Sequence, residues 1–437
     1  MTCKHKILQL TPSPFAEPAG YQQPTRDARA AAETKSGRIP KHTTSRSINT
    51  FPGPLVLPHD ELNYDPDSPA QSFRSWSHEK MRNKLTNRKR NNLYVVRVPE
   101  IGREMEFMRE WISPLSSQGA TPEDVDSTSP PTELFIDYLK AFYHNMNVRL
   151  FPTQLSWTTW EAQHQPSQRA RLPKYIGLSQ NNQCTRIRVR TPPDNTFAAQ
   201  LNLNDVLDAA IDMLPDDAYA LVLLIDHDMY ESADDDFCCG RAYGGSRVAV
   251  VQSARYNPCL DDRGGIERAH MWPFSHCKDF VDNLCAVEDV EPRRATKQQI
   301  ASSRTGPMHA AVDAATTHAQ DASSAVWFSR LARTVSHELG HCFALGHCVY
   351  YACNMQGTAG MKEDVRQPPY LCPVCEAKVA HAIAGELQSG GEEEKKVWVK
   401  ERCEVLASFC RRLEDEGLSS AMWKGLEGWL GERMENM

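Results

Sequence analysis

His337, Glu338 and His341, followed by His347, have the residue types and the spacing of a centre that holds a metal ion and activates water on it. Two histidines four residues apart share one face of a helix, and the stretch from Ala325 to Leu345 has no proline to interrupt one. The glutamate between them faces the same point and is placed to take a proton from the activated water. His347 adds a third nitrogen once the chain turns back after the helix. Three protein ligands leave one position of a tetrahedral zinc open, which separates a catalytic site from a closed structural one. The blander reading, a helix that carries two histidines and a surface glutamate, fits the five-residue motif alone and weakens once His347 is counted.

A second set of ligands follows at once. Cys348 and Cys353 are separated by four residues, and Cys372-Pro373-Val374-Cys375 places two more sulfurs around a two-residue gap. Paired spacing of this kind suits one tetrahedral ion gripped by four thiolates, a shell with no room for water and therefore a structural role. Two disulfides or buried free thiols are the alternative, and the absence of an export signal disfavours disulfides. Cys348 directly follows His347, so metal binding at the thiolates should couple to the geometry of the third histidine.

The compound pattern His337-Glu338-x-x-His341, His347-Cys348, Cys353-x-Met355 and Cys372-x-x-Cys375 spans about 40 residues and resembles the signature of the archaemetzincins, metzincin-type zinc peptidases. Fainter similarity reaches back to about Leu93 and includes Phe237 to Tyr256, while the first 90 residues resemble nothing familiar. The resemblance implies that His337, His341 and His347 bind a catalytic Zn2+ and that Glu338 is the general base. It further implies that Cys348, Cys353, Cys372 and Cys375 bind a second, structural Zn2+, and that Met355 forms the turn beneath the catalytic metal. One residue departs from the family pattern. Ala344 stands where a glycine usually lets the helix end in a left-handed turn, a conformation that costs alanine roughly 1 kcal/mol. Either Ala344 takes that turn under strain or Gly346 carries the reversal instead.

The elements that must position these residues are visible in part. Leu93–Val98, Val148–Phe151, Ala220–Asp226 and Val248–Ser253 read as strands, the last after a turn at Gly244-Gly245. Thr132–Asn147 has helical spacing, and Asn202-Leu203-Asn204-Asp205 is placed to cap a helix running to Met213. By resemblance the segment Phe237–Tyr256 is where a substrate strand would dock on a sheet edge; from sequence alone an interior hairpin fits equally well. Asp226-His227-Asp228 could ligate metal, but no spacing ties it to the histidines and a solvated loop is the preferred reading. The expected fold is α+β: a metzincin-like catalytic domain with a mixed sheet packed on the active-site helix, and a four-cysteine zinc subdomain. Its expected boundaries are a disordered arm over 1–90, a catalytic domain over 91–388 and a helical tail over 389–437. The zinc cluster occupies 348–375, and a polar inserted loop occupies about 260–320. The basic cluster Lys80–Arg90 reads as a solvated linker, with a nuclear address or RNA-contacting arm as the alternative.

Composition narrows function further. Forty-nine basic and 56 acidic residues give a net charge of -7 over 437 residues, too mild to point to nucleic acid or a membrane surface. The 14 cysteines form no regular framework outside the cluster, and the N-terminus is not a secretory leader. A cytoplasmic or nuclear location follows as the expectation, with a mitochondrial transit segment around residues 26–47 as the minor alternative. Peptide or protein substrates are expected, with a possible protein partner for the arm or the C-terminal helices. The competing class is a non-catalytic zinc protein that serves as an interaction module.

Overall fold

Uninterrupted apolar runs set the centre of the molecule. A computed structural model of the chain describes residues 5–39, 47–86, 89–115, 129–160, 172–181, 183–292, 294–318 and 321–437. Its strands follow in order as β1 (Asn92–Val96), β2 (Glu100–Ile101), β3 (Asn147–Leu150), β4 (Ser156–Thr159), β5 (Tyr175–Gln180) and β6 (Gln183–Arg190). β7 (Gln200–Asn202), β8 (Ala218–Ile225), β9 (Met229–Tyr230), β10 (Gly240–Tyr243) and β11 (Val248–Gln252) complete the set. β1, β8 and β11 are buried along their whole length, as strands covered on both faces must be.

One sheet has the order β10-β11-β8-β1-β3, parallel throughout except for the antiparallel β10–β11 pair at its edge. The other has the order β2-β4-β5-β6-β7-β9 and is also mixed. Because strand side chains alternate faces, β1, β8 and β11 feed two cores. Leu93, Val95, Val222 and Val251 face the helices, among them Thr132–Phe142 and the long Ser323–Cys342. Tyr94, Val96, Leu223 and Val250 face the second sheet and the helix Leu203–Asp212. Within the expected capping stretch Asn202-Leu203-Asn204-Asp205, the cap of that last helix is Asn202, its side chain accepting from the Asp205 amide. The architecture is a mixed α/β fold with two mixed sheets and many helices. No helix among the described residues is long and apolar enough to cross a membrane.

The expectation of disorder over residues 1–90 finds no support in the described part of that segment. Leu8, Leu10, Phe51, Phe73 and Trp76 are buried in the helix-side core. The segment pairs with the chain around 276: Leu8 bridges Cys277, and the Gln9 amide donates to the His276 carbonyl at 2.7 Å. Phe51 lies edge-on to Tyr370 and Trp429, and Trp429 Nε1 donates to the Thr50 carbonyl. A few widely spaced apolar anchors suffice here because the surface receiving them is made elsewhere. Such anchors leave no periodicity, and the surrounding Pro, Ser and Thr dilute them in any average of composition.

Residues 260–320 likewise hold more order than a polar insertion suggests. Helices form at Lys278–Ala286, Lys297–Ser302 and Pro307–Thr316, and the last buries Met308, Ala311, Val312 and Ala315 on one face. Within the basic cluster, Arg82 is buried against Glu386 and stacks over Trp76 at 4.2 Å, so it is not a solvated linker residue; Arg88 lies outside the described residues. Asp226-His227-Asp228 is a buried network and not a loop in water. Ser129 and Ser253 donate to Asp226, and Arg255 ties Asp228 to Asp194. The C-terminal helices Glu392–Asp415 and Ala421–Glu435 dock through Glu376, which receives Arg402 and Arg433.

Candidate active site

Helix Ser323–Cys342 is buried along almost its whole length, and its anchors are polar as well as apolar. Trp327 Nε1 donates to the Ser253 carbonyl, Arg330 grips Asp261, and Tyr143 Oη donates to the Ser336 carbonyl at 2.6 Å. The turn of helix that carries His337, Glu338 and His341 is therefore fixed before any ligand arrives.

The three histidines come together. His337, His341 and His347 each offer a nitrogen, and these atoms lie within 4.8 Å of one another. His337 Nδ1 faces the Asn354 carbonyl at 2.6 Å, and His341 Nδ1 faces the Leu345 carbonyl at 2.7 Å. A ring that donates Nδ1–H to a carbonyl presents the Nε2 lone pair, and the two Nε2 atoms sit 3.1 Å apart. Neutral lone pairs converging without a proton between them are what a cation requires. Burial agrees: it holds His337 well below the usual imidazole range and brings His341 down to about 4, with the neighbouring rings adding to the effect. Burial also lowers His347. Gly357 makes room for that ring, since a Cβ there would come within 2.6 Å of His347 Nδ1.

Ala344 settles how the helix ends. Its φ is +60°, the left-handed region, and the Leu345 amide donates to the Gly340 carbonyl while the Ala344 amide donates to the His341 carbonyl. This is a helix terminus of the Schellman type with alanine in the glycine position. The reversal is not shifted to Gly346, whose φ is not positive.

Glu338 lies on the same helix face. Burial pushes its carboxyl up to about 8, Arg241 and Arg333 pull it back, and Asp364 adds to the rise. β10 runs alongside: a Cβ on Gly240 would stand 3.3 Å from Glu338 Cγ, and one on Gly244 would strike the His341 carbonyl. These glycines bring the edge strand against the helix. Met355 lies under the site, its sulfur filling the space a Cβ on Gly340 would need. A separate cleft of about 590 Å³, lined by Tyr64, Leu260, Ile266, Phe280, Ala359 and Met361, includes none of the three histidines or Glu338 in its wall.

The four cysteines also meet, all buried, with their sulfurs within 4.8 Å of one another. Cys348 Sγ and Cys372 Sγ are 3.5 Å apart, far beyond the roughly 2.05 Å of a disulfide. Backbone amides of Met355 and Cys372 point at Cys353 Sγ. Hydrogen bonds from Cys353, Cys372 and Cys375 hold the Cys348 thiol well below its usual range, while burial pushes Cys353 and Cys372 well above theirs. Four sulfurs in one buried shell cannot all ionise without a cation among them, so the donor set fits a metal. Sequence reasoning missed the outer partners of the histidine site. The Asn354 and Leu345 carbonyls, Gly357, and Glu61 and Gln71 from the N-terminal segment carry no local signal.

Comparison with known proteins agrees with this chemistry. The model of peptidase family M54 matches residues 310–381. Archaemetzincin-2 of Homo sapiens is 23% identical over 337 residues, covering 76% of this chain and 70% of its own, and archaemetzincin-1 of Homo sapiens is 35% identical over 85 residues, 18% of this chain and 17% of its own. Among solved structures, archaemetzincin from Methanopyrus kandleri aligns with a TM-score of 0.30 at 14% identity, over 66% of this chain and 92% of that one. Over these spans the chain is similar to the archaemetzincins, and the match to peptidase family M54 supports a zinc metallopeptidase.

Proposed function

We propose that the chain hydrolyses peptide bonds at a zinc held by His337, His341 and His347, with Glu338 as general base, and that a second, structural zinc is held by Cys348, Cys353, Cys372 and Cys375. The observation that carries this reading is the convergence of three imidazole nitrogens beside a buried carboxyl group. When bound, the catalytic zinc would supply a Lewis acid for the scissile carbonyl and acidify the attacking water. Glu338 takes the water's proton and returns it to the leaving amine; its burial makes the carboxylate a stronger base than one in water. A cation close by offsets part of that rise. Met355 closes the floor without ligating.

The substrate lies as an added strand along β10, which ends its sheet and has a half-exposed outer side. Main-chain hydrogen bonds there give affinity with little sequence demand, and the strand passes Glu338. Ala344 adopts the left-handed turn that the resemblance assigns to glycine.

The test is Glu338→Gln. Cleavage of a complex peptide mixture, read by mass spectrometry, is expected to fall about 10²- to 10⁴-fold with both metals retained by elemental analysis. Parent-level cleavage by the variant would falsify the mechanism.

A further inference from the structure

Two of the three imidazoles ride on a helix, but His347 depends on a turn whose central residue is strained. The N-terminal segment braces that turn. Trp76 Nε1 donates to the Phe343 carbonyl at 2.8 Å. Gln71 Nε2 donates to the Ala344 carbonyl at 2.9 Å, and the Gly346 amide donates to Gln71 Oε1 at 3.0 Å. One side-chain amide thus satisfies both backbone groups that flank Leu345. Gln71 is itself held from behind by Lys378, which is 1% exposed and donates to Gln71 Oε1 at 2.7 Å and to its carbonyl at 2.6 Å. Lys378 sits on the helix Pro373–Ala380, whose first turn contains Cys375. Glu61 Oε1 lies 3.9 Å from His347 Nδ1, too far for a hydrogen bond.

We propose that Gln71 is a positioning residue of the metal centre: backed by Lys378, its amide fixes the left-handed turn at Ala344 and hence the reach of His347. The proposal rests on reading the three histidines as a metal site. The physical argument is one of compensation. A glycine would hold the turn unaided, whereas an alanine drifts toward ordinary backbone unless both flanking polar groups are tied. Outer partners of this kind usually change metal affinity 10- to 100-fold. The brace also runs from the thiolate cluster through Lys378 to His347, so the two sites are linked by more than the His347-Cys348 peptide bond.

The experiment uses the full chain loaded with zinc and titrated with a chelator, with His347→Ala and Cys372→Ser marking which metal is which. Gln71→Ala is expected to weaken the histidine site about 10-fold and leave the cysteine site unchanged. Adding Ala344→Gly to Gln71→Ala is expected to restore most of the loss, because glycine needs no brace; a residue with only a general structural role gives no such rescue. In the metal-free protein, hydrogen exchange at the Gly346 amide should quicken in both Gln71→Ala and Lys378→Met. A Gln71→Ala protein with parent affinity, a loss that Ala344→Gly does not reduce, or equal weakening of both metals each overturns the proposal. A parent protein whose metal content is indifferent to His347→Ala overturns the metal reading on which it rests, and is told apart because Gln71 then plays no part in the result.

Discussion

The helix Ser323–Cys342 and the turn that follows it carry the same imidazole chemistry on opposite kinds of support. In the helix, the spacing of His337 and His341 comes from backbone bonds within the segment and from burial against β11 and Thr132–Phe142. In the turn, the backbone of residues 343–352 is tied from far away. Its partners are Gln71, Trp76 and Tyr21, separated from their acceptors by 273, 267 and 328 residues, with Gln23 and Pro52 adding two more bonds. A cluster of three histidines can therefore owe two of its members to local propensity and the third to chain that shares no motif with it. The N-terminal segment belongs to the site's scaffold.

The strongest way to break that contrast is at Trp76, fully buried and bonded to the Phe343 carbonyl. Trp76→Ala is expected to cost about 3–5 kcal/mol in urea unfolding, whereas Met81→Ala, 74% exposed a few residues on, should be close to neutral. A cost below ~1 kcal/mol at Trp76 would show that the segment only rests on the surface.

Acid sharpens the comparison with a smaller effect. His276 lies where the N-terminal segment joins the chain around 276, and burial brings its ring down to about 4. The unfolded ring takes a proton near 6.5 and the buried one does not, so stability is complete above pH 6.5 and falls as pH drops from there toward 4. Between pH 7 and 5 the loss from this residue is on the order of 2 kcal/mol. Urea midpoints at the two pH values should diverge less in His276→Gln than in the parent. Identical divergence would remove His276 from the account. Exchange at the Gln9 and Lys278 amides, which bond His276 and Ile7, should quicken in acid before that of the long helix.

How far the sequence was legible follows the same division. The three histidines, the four cysteines, the strands β1, β8 and β11 and the capping stretch Asn202-Leu203-Asn204-Asp205 are all short-range patterns; the structure brings each candidate ligand set together and forms the strands and the capped helix close to where they were expected. The hairpin β5–β6 was missed because its alternation is written in arginines: Arg186 and Arg188 point out around a buried Ile187, and charge density hides the period. Met308, Ala311, Val312 and Ala315 form a helical stripe too small in side chain to stand out from polar neighbours. Asp226 and Asp228 read as solvated since nothing local shows that Ser253 and Arg255 will satisfy them in the interior. Gln71 is invisible for the deepest reason: it is a polar residue in a polar stretch, and its partners are decided only by the finished fold.

The smallest expected effect is at Ala344 itself. Relief of the left-handed strain in Ala344→Gly stabilises the folded state, while the freer unfolded chain of glycine takes part of that gain back, for a net rise of up to about 1 kcal/mol. The measurement is the urea midpoint of the metal-free protein, since bound metal would add its own stabilisation. The Ala344 methyl also packs partly against the helix-side core, so a fall in stability would mean that this contact outweighs the strain. In that case alanine is at this position for packing, the turn is less strained than its φ suggests, and the brace from Gln71 has less to hold.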